Sequence, residues 1–168
     1  MASREVKISY KQKLFIIRKL YQSDVNADYV NSLKSEKFIQ SVSKNITISE
    51  QRKIINDVNK NKTTCILGFF YKKKLLGTSG YQKLNKKKVF MGIFLFDRRF
   101  IGKGYGKFFI WSACFFINKF FKKDIFVAGI MKSNFKSIKA FNGAGFKIFY
   151  KAKKSIRCCL KFKSRKNF

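Results

Sequence analysis

The sequence predicts an α+β fold: a mixed, mainly antiparallel sheet of six to seven strands flanked by about four helices. Three strand-like runs, residues 63–71, 75–83 and 88–96, follow one another with only Lys72-Lys73-Lys74 and Asn85-Lys86-Lys87 between them. So close a spacing suits an antiparallel meander. Residues 105–121 read as a helix that is apolar on most of its circumference, as in helices buried against a sheet. Beyond it, short strand and helix signals alternate, which gives a mixed sheet flanked by helices.

The elements follow in order. Leu14-Phe15-Ile16-Ile17 centres a first strand over residues 13–20. Asp24 is placed to cap a helix through about Leu33, and Ser49 with Glu50 to start a second through about Asn59. In that second helix Ile54, Ile55 and Val58 share a face. After the meander and the long helix come a strand at 124–131 and a short helix at 134–144. Gly145 suits the left-handed position that ends a helix. Residues 146–151 and 155–162 complete the order β-α-α-β-β-β-α-β-α-β-β. No internal repeat or Pro-, Gly- or Ser-rich linker divides the chain, so residues 1–168 read as a single domain.

Composition narrows the function classes. With 17% aromatic residues, the chain can build a real core despite its charge. The formal net charge is +31. It is compatible with nucleic acid, the ribosome or an anionic membrane as partner. The lysines are scattered, however, and Lys, Asn, Ile and Phe are all abundant while Pro and His are absent. That pattern favours a compositional bias over a dedicated nucleic-acid arm, and on either reading the field attracts anionic ligands. Cys65, Cys114, Cys158 and Cys159 form no C-x-x-C pair, and without histidine a metal site is not expected. Neither a disulfide framework nor a signal-like stretch is evident, and the longest apolar run is too short for a bilayer. A cytoplasmic protein with no membrane span is therefore expected. The sequence leaves monomer and homodimer open.

The most informative segment is Phe100-Ile101-Gly102-Lys103-Gly104-Tyr105-Gly106-Lys107, between a strand and a helix. Glycines let the backbone turn sharply and approach a ligand closely. The first N–H groups of the helix have no partners within it, and its positive dipole end lies there. Such a loop suits a phosphate or pyrophosphate. It is not the Rossmann fingerprint, because position 107 is Lys, and it lacks the spacing of a P-loop.

This segment resembles the acetyl-CoA signature of the GNAT superfamily: Gln or Arg, two residues, Gly, any residue, then Gly or Ala. Gly104 and Gly106 match it, and Ile101 stands where Gln or Arg is usual. Downstream, Asn134-Phe135-Lys136-Ser137-Ile138-Lys139-Ala140-Phe141 followed by Gly145-Phe146 resembles the family's second signature, an Asn-initiated helix ended by Gly-Phe. The likeness extends over residues 15–149, with the motifs in the second half. It implies a GNAT-like sheet and acetyl-CoA as acetyl donor. It also implies transfer to a primary amine, with no metal.

Carried over residue by residue, the resemblance implies that Phe94, Leu95 and Phe96 lie on a strand that splays from its neighbour and offers backbone groups to the pantetheine arm. Ile101, Gly102, Lys103, Gly104, Tyr105, Gly106 and Lys107 would hold the pyrophosphate. Asn134 would contact the coenzyme near the thioester, besides capping its helix. Where many members carry Tyr, this chain has Phe141, which cannot donate a proton to the leaving thiolate. Ser137, one turn earlier on the same face, or a water would substitute. Residues 88–96 contain no carboxylate to act as base, and Asp97 follows directly.

The absent base bears on the acceptor. A lysine amine, with a pKa near ~10.4, must lose a proton before it attacks, whereas an α-amine lies near ~8. An amino sugar should resemble the α-amine, because electron-withdrawing neighbours lower its basicity. Asp28-Tyr29-Val30-Asn31-Ser32-Leu33, then Phe38 and the segment reaching Thr47-Ile48-Ser49-Glu50, is similar to two GNAT branches. One acetylates sugar amines for bacterial surface glycans and the other ribosomal-protein N-termini. Both usually carry Trp where Ser32 stands. The first is the expectation here, with an anionic, nucleotide-linked amino sugar suited to a cationic cleft. The alternatives are N-terminal acetylation and a non-catalytic RNA-binding domain using aromatics such as Tyr71 or Tyr81.

Overall fold

The structure, a computed structural model, describes residues 4–36 and 45–163. Phe38 therefore lies outside the described residues. The strands are β1 (Glu5–Tyr10), β2 (Lys13–Lys19), β3 (Cys65–Tyr71), β4 (Lys74–Gln82), β5 (Lys88–Leu95), β6 (Ile125–Met131), β7 (Lys147–Lys151) and β8 (Ser155–Lys161). The helices are α1 (Ala27–Ser35), α2 (Ile48–Lys60), α3 (Tyr105–Phe121) and α4 (Phe135–Gly143). Together the strands form one eight-stranded sheet, ordered β1-β2-β3-β4-β5-β6-β8-β7. Only the β5–β6 pair is parallel, joined by the crossover helix α3.

Alternation along the strands builds two cores. Phe15 and Ile17 of β2, Leu67 and Phe69 of β3, and Val89 and Met91 of β5 pack on one face with Phe108, Phe109, Phe116 and Ile117 of α3. On the other face Ile16, Ile66, Phe70 and Leu75 meet Tyr29, Val30 and Leu33 of α1 and Ile55 of α2. The same parity splits the end of β5: Ile93 and Leu95 belong to the α3 face, Phe94 and Phe96 to the α1–α2 face.

The sheet has eight strands rather than the expected six or seven, because residues 5–10 form an edge strand. Its pattern is diluted: Val6 is buried, whereas Lys7 and Ser9 are exposed. The turn joining it to β2 also lacks a glycine signal. Lys11 and Gln12 both take positive φ, 47° and 58°, in a two-residue turn between paired Tyr10 and Lys13. Such turns usually carry Asn or Gly.

Local departures occur on α1 and α2. Asp24 does not cap α1; Asn26 does, its Oδ1 accepting from the Tyr29 N–H at 3.0 Å. Asp24 sits in a 3-10 turn, Gln22–Asp24, and receives two 2.7 Å hydrogen bonds from Arg18. Thr47 starts α2, with Glu50 completing a capping box. Of the expected apolar face, Ile55 is fully buried while Ile54 is 43% exposed. Gly145, with φ 91°, follows α4 in the left-handed conformation, as expected.

Candidate active site

The site begins with an interruption in the sheet. β5 and β6 pair only over Lys88–Ile125, Val89–Phe126 and Phe90–Val127. Beyond that, β5 keeps its partner β4 as far as Leu95–Gly77, and β6 keeps β8 as far as Met131–Ser155. The facing edges of residues 91–95 and 128–131 thus diverge without strand pairing, leaving backbone donors and acceptors to a ligand or solvent. Phe94, Leu95 and Phe96 stand at this opening, all half-buried.

At the end of β5 the chain turns into the glycine loop. Gly102 and Gly104 have φ 78° and 83°, the left-handed region that a side chain makes costly. Gly104 is the N-cap of α3, has no capping side chain, and is followed by no acid in the first turn. The first N–H groups of α3 and its dipole are therefore available to an anion. A Cβ on Gly104 would meet the Lys11 Nζ at 3.6 Å and the Tyr10 hydroxyl at 4.0 Å. Lys103 and Lys107 are exposed and Ile101 half-buried. Tyr105 is buried, its ring 5.0 Å from that of Phe100, so its side chain packs into the core.

Gly106 plays a packing part: a Cβ there would sit 3.1 Å from that of Ala140, so it lets α4 close on α3. α4 is capped by Asn134, whose Oδ1 accepts from the Ser137 N–H at 3.1 Å. Capping occupies only the carbonyl oxygen, which leaves the amide nitrogen able to donate. Ser137 is half-buried, and Phe141 is 2% exposed with its ring edge-on to Phe146 at 4.9 Å.

Asp97 is placed differently from a free base. Its carboxylate accepts from the Arg99 Nε at 3.0 Å, from a terminal guanidinium nitrogen at 2.7 Å, and from the Arg99 N–H at 3.0 Å. The Arg99 hydrogen bonds hold its pKa below the ordinary value, against the opposing effect of burial. A carboxylate so held is a weak proton acceptor.

On the α1 side, Asp28, Asn31, Ser32 and Ser35 face Lys74, Phe96, Asp97 and Arg98 across a cleft of about 500 Å³. It opens beside the end of β5. Tyr29 lies beneath it, fully within the second core. Its hydroxyl accepts from Gln51 Nε2 at 3.4 Å, and its ring is 5.8 Å from that of Phe96. Burial raises the pKa of this phenol. Tyr81 is only 2% exposed, so its ring is not open to stacking, while Tyr71 is half-buried.

One neighbour of the loop was not foreseen. Lys11, at the tip of the β1–β2 turn, donates from Nζ to the Lys103 carbonyl at 2.9 Å. It also lies 5.4 Å from the Tyr105 ring centroid. Nothing local in the sequence marks it, because the contact spans 92 positions. Among the described residues no group of three or more Cys, Asp or Glu could hold a metal. No helix there is long and apolar enough to cross a membrane.

No family model and no curated protein matches the sequence. Solved structures do match it. The ribosomal-protein-S5-alanine acetyltransferase from Vibrio fischeri is 16% identical, with 96% of this chain and 100% of that chain covered and a TM-score of 0.77. The N-acetyltransferase PseH of Campylobacter jejuni, in complex with acetyl coenzyme A, is 15% identical over 88% and 99% of the two chains, with a TM-score of 0.64. A ribosomal L7/L12 alpha-N-protein acetyltransferase in complex with coenzyme A is 14% identical over 92% and 97%, with a TM-score of 0.78. The eight-stranded sheet, its parallel opening and its glycine-led crossover helix therefore give this chain the fold of the GNAT N-acetyltransferases.

Proposed function

We propose that the protein is an acetyl-CoA-dependent N-acetyltransferase whose acceptor is the primary amine of a nucleotide-linked amino sugar. The observation that carries the donor half is the opening between β5 and β6, which leads straight to the uncapped, glycine-led N-terminus of α3. Unpaired edges suit the amide-rich pantetheine arm, and the helix N-terminus with Lys103 and Lys107 suits the pyrophosphate. The Asn134 amide stands at the start of the neighbouring helix and, on the family's pattern, would contact the coenzyme near the thioester.

In the reaction the amine lone pair attacks the thioester carbonyl, the C–S bond breaks, and an amide and a thiol result. The nitrogen loses one proton and the departing sulfur gains one. Unpaired backbone N–H groups of β5 would stabilise negative charge on the carbonyl oxygen. Phe141 cannot protonate the sulfur, so Ser137 or a water it holds does so.

The acceptor follows from what is missing. β5 carries no carboxylate, and Asp97 is engaged by Arg99. An amine already partly neutral near pH 7 is then the better substrate. Lys74 and Arg98 in the α1 cleft would attract its phosphates, and Asn31, Ser32 and Ser35 offer partners to sugar hydroxyls. The test is coenzyme A release over a panel of nucleotide-linked amino sugars, N-terminal peptides and lysine peptides at low and moderate salt. Amino sugars should be preferred, with a Michaelis constant that rises with salt. Efficient lysine acetylation would overturn the acceptor assignment, and a preference for ribosomal-protein N-termini would replace it with the second GNAT branch.

A further inference from the structure

After Asp124 the sequence contains no Asp or Glu, yet it carries twelve Lys and Arg side chains to its last residue. Asp124 is the last of the chain's eight acids. The scatter of charge along the whole sequence conceals this final quarter, where nothing neutralises the cations locally. The same quarter supplies β7, the outermost strand of the sheet, bonded to β8 along one edge only.

β7 is exposed along its full length, Lys147-Ile148-Phe149-Tyr150-Lys151. Phe149 is 56% exposed, Tyr150 52% and Ile148 39%. The ladder with β8 shifts register between Ile148 and Tyr150, so Phe149 falls at a bulge without a cross-strand partner. Arg157 of β8 places its guanidinium 5.6 Å from the Tyr150 ring centroid. Beyond the strand, the turn to β8 adds exposed Lys153 and Lys154. The backbone of Lys154 accepts from the Lys132 N–H at 2.9 Å, which brings a third lysine to the turn.

Exposed rings between lysines, on a strand from an acid-free stretch of the chain, call for a partner with flat apolar faces and a regular negative charge. We propose that the β7 edge binds single-stranded nucleic acid, with bases stacked on Phe149 and Tyr150 and phosphates held by the flanking lysines. Stacking of this kind tolerates any base and combines with cationic tracking of the backbone. A duplex fits less well, because its bases are already stacked on each other. A second copy of the chain also fits less well. Antiparallel pairing of two β7 edges would set Lys147 opposite Lys151 of the other copy, between molecules that each carry a net charge of +31. The proposal does not depend on the acetyl-transfer reading.

The test is fluorescence anisotropy of a labelled 12-nucleotide oligouridine with the full-length protein, at 50 and 200 mM salt. The single strand should bind more tightly than a duplex of the same length. Phe149→Ala with Tyr150→Ala should weaken it about 10- to 100-fold, since each stacked ring contributes strongly. Phe149→Leu with Tyr150→Leu, which keeps apolar bulk and guards against a folding artefact, should weaken it similarly. Lys147→Gln with Lys151→Gln should lower the salt slope by roughly 0.7 per lysine. Lys86→Gln with Lys87→Gln, an equal charge loss on the β4–β5 turn, should change affinity much less. The proposal is overturned if the aromatic variants bind like the wild type, or if the two lysine pairs have equal effects, since binding would then be diffuse charge alone. It is equally overturned if the oligonucleotide does not bind while vesicles with anionic lipid do, or if the β7 variants convert a dimer to a monomer.

Discussion

At Gly104 the backbone takes φ 83° and leads directly into the first N–H groups of α3. Gly104→Val would place a β-branched side chain in a left-handed conformation and in the path of a bound phosphate. Wild-type protein should gain melting temperature with added acetyl-CoA, and the Val variant should lose that gain; an equal gain in both would move the pyrophosphate to another loop. Ser137→Ala should lower turnover with little change in coenzyme affinity, whereas unchanged turnover would leave bulk water as the proton donor. Asp97 gives a pH prediction. Its pKa is depressed by Arg99, so its contribution to stability is present above the ordinary carboxylate pKa and lost as pH falls through the folded value. Arg99→Met should therefore lower stability near neutral pH and shrink the part of it that is lost on acidification, as read from melts between pH 3 and 7. The glycines and Asn134 were legible in the sequence because their spacing is local. The engagement of Asp97 was not, since Arg98 and Arg99 stand side by side and only the turn decides which one folds back.

Among the elements, β4 and β5 show how the opening is held. A Cβ on Gly77 would lie 2.5 Å from the Phe94 carbonyl oxygen, a backbone clash that no side-chain movement relieves. Gly77→Ala should cost roughly 2–4 kcal/mol and shift the end of β5, where the candidate site residues Phe94 and Leu95 lie. Denaturant unfolding together with acetyl-CoA affinity checks it, and an unperturbed variant would show that β5 is not held this closely. Elements with strong periodicity or long apolar runs were readable; α3 runs from Tyr105 to Phe121, the range its composition implies. β1 was hidden because it is a half-exposed edge whose turn, Lys11-Gln12, carries no glycine or asparagine. The start of α1 was misplaced because Asp24 and Asn26 are both good caps, and the Arg18 pair on β2 draws Asp24 away.

On the scale of the whole molecule, one sheet carries two cores, and the line between them runs through the end of β5. There the α3 face presents the glycine loop and the α1 face the cleft proposed for the acceptor, so the proposed donor and acceptor sites would meet at one opening. That meeting point is a product of topology, and local sequence signals do not record it; the same holds for Lys11 beside the loop. Among the described residues, Glu5 pairs with Lys7, Asp24 with Arg18 and Asp97 with Arg99, against a formal net charge of +31. Hydrogen exchange of the full-length protein with and without saturating acetyl-CoA tests the donor site most directly. The expected result is slower exchange across residues 91–107 and 128–137, with β1 to β3 little changed. No slowing anywhere, or slowing confined to other segments, would contradict acetyl-CoA binding at the β5–β6 opening.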